Sequence, residues 1–100
     1  MKIKILGSAR NDLAEGRGFY DLQGEGLGEY FLTSLFADID SLSRLAGVHR
    51  KVFGFHRLLS ERFPWAIYYR FDAEGAVLVF RVLDCRQHPG KTRAALRRIR

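Results

Sequence analysis

At 100 residues, 47% of them apolar, the chain has room for one domain around one core, and its mean hydropathy of −0.16 argues against a membrane protein. No apolar run nears the ~20 residues that span a bilayer, and the stretch after Met1 is far shorter than the ~7–15-residue core of a secretory signal. With a single cysteine, Cys85, no internal disulfide can form, so a cytoplasmic chain with no membrane partner is expected. The net charge of +6 is concentrated, because Arg86, Lys91, Arg93, Arg97, Arg98 and Arg100 meet no acid after Asp84. Such a local field draws phosphates or carboxylates, and most of the basic residues are arginine, the side chain suited to bidentate anion recognition.

Lys2 to Leu6 alternates polar and apolar residues, the pattern of a half-buried strand. Ser8 can cap a helix over 8–23, with Asn11 or Asp12 in its first turn and a stripe of Ala9, Leu13, Gly16 and Tyr20. Gly16 and Gly18 weaken that helix by about 1 kcal/mol each against alanine. Gln23-Gly24-Glu25-Gly26 breaks the period before a second helix over 27–46, whose stripe is Leu27, Phe31, Leu35, Ile39 and Leu42. Glu29, Asp38 and Asp40 are expected to face water. So short a link makes the two helices an antiparallel hairpin.

After Gly47 the period becomes two. Strands are predicted over 52–59, 64–71 and 76–84, the last two joined by the loop Asp72-Ala73-Glu74-Gly75. Trp65, Ile67, Tyr69 and Phe71 share one face of the middle strand, and Ala66, Tyr68 and Arg70 the other. Pro89 opens a closing helix through Ile99. The order β-αα-βββ plus a short basic terminal helix implies an α+β fold over residues 1–100. In it an antiparallel sheet carries the helix hairpin on one face and leaves the other to solvent or a partner.

Gly24-x-Gly26-x-Gly28 sits between helices and lacks dinucleotide or P-loop spacing, so it reads as a turn. His49, His56 and His88 are not at metal-ligand spacing, and neither a metal nor another cofactor is expected. Cys85, at the end of an apolar strand, reads as a small packed residue. His88 stands beside Arg86 where the last strand ends, a place from which a histidine can move protons near a phosphate. Arg57, Arg70, Arg81 and Arg86 fall on or just after consecutive strands, so some must converge on one surface. There they either hold an anionic partner or pair with Asp72, Glu74 or Asp84.

The segment Phe63-Pro64-Trp65-Ala66-Ile67-Tyr68-Tyr69-Arg70, a turn, and Val82-Leu83-Asp84-Cys85-Arg86-Gln87-His88-Pro89 resembles the RelE/ParE superfamily of bacterial toxins. Phe19-Tyr20 and Gly26 to Leu32 are similar to that family's helix hairpin, so the likeness covers nearly the whole chain. The resemblance implies the toxin of a type II toxin–antitoxin pair, also called a plasmid-stabilisation protein. Its implied partners are a cognate antitoxin whose flexible segment wraps it, and operator DNA only through that antitoxin. RelE-like members cleave mRNA in the ribosome, whereas ParE-like members poison DNA gyrase.

Mapped onto the ribonuclease branch, Arg57 and Arg86 match two basic positions. Leu59 and Ala66 replace an expected lysine and arginine, and Thr92 replaces a tyrosine. His88 is a partial substitute in that reading, so the catalytic candidates are Arg57, Arg86 and His88. The gaps favour the ParE-like side, a non-enzymatic gyrase inhibitor, over a ribosome-dependent endoribonuclease or a degenerate toxin that only binds antitoxin. The partner-binding candidates are Arg70, Arg81, Lys91, Arg93, Arg97 and Arg98.

Overall fold

The computed structural model describes residues 1–98; Ile99 and Arg100, part of the predicted closing helix and its charge, lie outside them. The elements run β1 (Ile3–Ile5), α1 (Gly7–Asp21), α2 (Leu27–Asp40), α3 (Leu42–Leu45), β2 (Lys51–Val52), β3 (Phe55–Leu59), β4 (Trp65–Phe71), β5 (Val77–Asp84) and α4 (Pro89–Arg97). The strands form one sheet in the order β1-β5-β4-β3-β2. This is the α+β fold expected, with a difference in how the sheet is closed. The chain returns through the helix hairpin and the whole meander before β5 arrives, so β1 lies beside β5 and pairs with it in parallel, while the other pairings are antiparallel.

Alternation along β4 divides the interior. Trp65, Ile67 and Tyr69 point to the face covered by α1 and α2, where they meet Leu13, Phe31, Leu35, Ile39 and the β5 valines. Ala66 and Tyr68 point to the opposite face, where Phe55, Leu83 and Leu96 form a second, smaller cluster. That second face was expected to be left open. Instead α4 folds back across it, because Leu96 (2% exposed) needs an apolar seat.

Several local expectations yield to tertiary contacts. The helix over 8–23 begins at Gly7, with Leu6 at its N-cap and no capping side chain; Ser8 Oγ donates instead to the Phe80 carbonyl at 2.6 Å. Asp12 is not a solvated first-turn acid but lies buried against β5. Gly16, expected only to weaken α1, is where the helices meet: a Cβ there would stand 2.5 Å from the Phe31 ring. The long second helix divides at Ser41, whose Oγ donates to the Asp38 carbonyl at 2.6 Å, leaving α2 and the single turn α3. Asp38 is half-buried rather than in water, and its carboxylate accepts from Ser60 Oγ at 2.6 Å. The strand over 52–59 is a hairpin, split by a two-residue turn at Phe53-Gly54 into β2 and β3.

In β5 the register slips between Tyr68, opposite Arg81, and Tyr69, opposite Val79, so Phe80 is an extra residue. This bulge lets Val79 and Val82 both face the helix layer, which strict alternation forbids.

Candidate functional site

Arg81 is the residue that the bulge re-aims. Its guanidinium donates to Asp12 through Nε at 2.7 Å and Nη2 at 2.8 Å, and the Val82 N–H reaches the same carboxylate at 2.9 Å. The pair is enclosed between α1 and β5, with the Arg81 side chain 22% exposed. Arg81 was a partner-binding candidate, but its fork is already filled inside the fold.

The three catalytic candidates are each held by a different part of the structure. Arg86 turns back on Asp84, which accepts from its Nε at 2.9 Å and its Nη2 at 2.8 Å, and a longer bond runs from Nη2 to the Tyr20 hydroxyl at 3.3 Å. Hydrogen bonding from Arg86 holds the Asp84 carboxyl below its usual range. Tyr20 in turn accepts from the Trp65 indole at 3.0 Å, so Arg86 belongs to the aromatic cluster under the helix hairpin. His88 is the N-cap of α4, and its Nδ1 accepts the Gly90 N–H at 2.9 Å. Arg57 lies opposite Tyr68 on the other face of the sheet. It lines a pocket of about 180 Å³ with Tyr68, Cys85, Gln87 and Thr92. Arg86 and His88 do not line that pocket.

Cys85, expected to be packed, is exposed just past β5 while lining this pocket. Desolvation raises the pKa of its thiol against the pull of Arg57 and Arg86, so it carries no poised thiolate. Tyr68 is pushed up by burial, with Arg57 acting the other way.

Three partner-binding candidates do converge. Arg70, Arg93 and Arg97 line a second cleft of about 410 Å³ with Phe53, Phe55 and Leu96. The Arg70 guanidinium carbon stands 3.7 Å over the Phe55 ring and its Nε donates to the Gly54 carbonyl at 3.2 Å, while Arg93 stands 5.2 Å over Phe53. Lys91 on α4 and Arg98 just past its end are exposed and line neither cleft. Phe53 escaped the sequence reading because a β-forming side chain occupies a turn position. The glycine after it, between two strand-like runs, is the signal that marks the turn.

No family model matches the chain, and neither does any curated relative. A solved chain from a chromosomal ParDE TA system of P. aeruginosa superposes with a TM-score of 0.74 over 84% of this chain and 95% of that one, at 19% identity. That likeness shows a shared fold.

A further cluster lies at the far end of β4. The Tyr69 hydroxyl accepts the Gly47 N–H at 2.8 Å and bonds His49 Nδ1, while the His56 ring stacks on Tyr69 with centroids 5.0 Å apart. Burial, then the neighbouring His56, lower the pKa of His49. Among the described residues no three His, Cys, Asp or Glu side chains stand together as a metal site, and no helix is long and apolar enough to cross a membrane.

Proposed function

We propose that this chain is the toxin of a type II toxin–antitoxin pair. In this reading a cognate antitoxin holds it in check in the cytoplasm, and operator DNA is met only through that antitoxin. The observation that carries the proposal is the shared fold with a chain of the ParDE TA system across 84% of the sequence. It agrees with the resemblance carried by the Phe63–Arg70 and Val82–Pro89 segments.

Gyrase inhibition is the mode of arrest best supported. Cleavage by 2′-hydroxyl attack needs a base and cationic groups gathered within hydrogen-bond reach of one phosphate. Here Arg86 is engaged by Asp84 and Tyr20, His88 Nδ1 is engaged by Gly90, and Arg57 lines a separate pocket. A non-enzymatic inhibitor needs only a surface, and the arginine-lined face beside α4 offers one.

Induced expression is expected to arrest growth, and purified chain to block gyrase-driven supercoiling of relaxed plasmid. Full supercoiling at a large excess of chain, together with cleaved message in a translating extract, would overturn this mode in favour of a ribonuclease. Absence of arrest would leave only a chain that binds antitoxin.

A further inference from the structure

The two arginine-lined clefts adjoin through Phe53, the one residue they share. Both lie along the groove between the β2–β3 hairpin and α4. The smaller cleft holds Arg57 and the N-terminal turn of α4 through Pro89 and Thr92, and the larger holds Arg70 with Arg93 and Arg97. No Asp or Glu lines either cleft. Among the described residues Arg57, Arg70, Arg93 and Arg97 make no ion pair.

Phe53 is the outlier that draws attention to the groove. It occupies the first position of the hairpin turn with φ +54°, followed by Gly54 at +84°. Asparagine or glycine takes such a position at little cost, whereas the left-handed region costs a bulky residue about 1–2 kcal/mol. Burial does not explain the choice, because the ring is 40% exposed. A strained residue that holds a part-exposed aromatic ring between two cationic clefts is placed for an outside contact.

The spacing suits an extended chain. Arg70 lies over Phe55, which sits two residues before Arg57 on β3, so the Arg70 and Arg57 layers are about 7 Å apart along the strands. Same-side side chains of an extended peptide repeat at that distance. A nucleic-acid strand is a poorer match, since stacking along a strand needs a row of open rings. Here one ring is open with Arg93 over it, Phe55 is 1% exposed, and Leu96 closes the floor.

We infer that the groove between the β2–β3 hairpin and α4 receives an extended acidic segment of a partner protein. Its carboxylates meet Arg57 at one end and Arg70 and Arg97 at the other, with an apolar side chain seated against Phe53. The inference rests on the toxin reading, in which a partner neutralises the chain, and names where and by what chemistry it does so.

The test is fluorescence anisotropy of a fluorescein-labelled twelve-residue peptide of alternating Glu and Leu, titrated with the full chain. A Gln-Leu peptide and a twelve-nucleotide oligouridylate serve as comparisons. The Glu-Leu peptide is expected to bind at least tenfold tighter than either. Arg70→Gln combined with Arg97→Gln should weaken it at least tenfold, and Phe53→Asn severalfold, with thermal melts verifying that each variant is folded. Lys91→Gln, which removes a charge from α4 outside the groove, should change affinity less than twofold. Unchanged binding by the groove variants, an equal loss with Lys91→Gln, or tighter binding of the oligouridylate overturns the inference. Growth arrest is scored separately on the unaltered chain. Arrest without peptide binding sinks the groove and spares the toxin, whereas binding without arrest does the reverse.

Discussion

Replacing Asp12 by Asn tests how the arginines of this fold are divided between structure and recognition. The carboxylate is 6% exposed and accepts three hydrogen bonds, two from Arg81 at 2.7 and 2.8 Å and one from the Val82 N–H at 2.9 Å. Asparagine keeps the shape but loses the charge, and it turns an NH₂ donor toward at least one of these donors. Removing one member of a buried ion pair costs about 3–5 kcal/mol. Arg81 is 22% exposed along its side chain, so water recovers part of that. A loss of roughly 2–4 kcal/mol is therefore expected, a large share of the ~5–15 kcal/mol by which proteins of this size are stable. At ~4–8 °C per kcal/mol, the thermal midpoint should fall by roughly 8–32 °C.

Urea unfolding followed by Trp65 fluorescence measures the change. The double variant Asp12→Leu/Arg81→Met should recover more than half of the loss, because it leaves no lone buried charge. Arg81→Gln alone should destabilise while leaving the affinity for an acidic partner unchanged once the chain is folded. A loss for Asp12→Asn below about 0.5 kcal/mol would refute the reasoning, since that is the range of an uncoupled surface substitution.

Three further outcomes are expected. Gly16→Ala should destabilise by about 1–3 kcal/mol in a thermal melt although alanine favours helix by about 1 kcal/mol, because its Cβ would stand 2.5 Å from Phe31; a stabilised variant would contradict the packing argument. Tyr20→Phe should cost about 1–3 kcal/mol in urea unfolding by leaving the Trp65 indole N–H without its acceptor at 3.0 Å, and an unchanged midpoint would count against that bond. His49 has its pKa lowered in the fold by burial and by His56, so the folded state favours the neutral ring. Stability from this group is thus full above the ordinary histidine pKa of 6.5 and falls as pH drops below it, once the unfolded chain takes the proton first. Urea midpoints at pH 7.5, 6.0 and 5.0 should therefore fall less steeply for His49→Gln than for the unaltered chain, and parallel slopes would sink the assignment.

Much of the fold was legible in the residues because periodicity is a local property. The stripes on 8–23 and 27–46 and the alternation of Trp65, Ile67, Tyr69 and Phe71 predict the helix hairpin and the two faces of β4, and both form. The concentration of charge after Asp84 was likewise readable, since it depends on composition alone.

What the residues could not reveal were decisions made between distant segments. The parallel seat of β1 beside β5 and the return of α4 over the second face each join residues far apart in the chain. The commitment of Arg81 to Asp12 spans 69 positions and follows from a bulge that breaks alternation in β5. For the same reason the arginines could be counted in advance but not assigned. By itself the sequence determined that this chain is an α+β domain with a cationic end. Only the tertiary structure decided which guanidinium groups are satisfied inside the fold and which stand around Phe53, because an ion pair depends on distances of a few ångströms that no local pattern encodes.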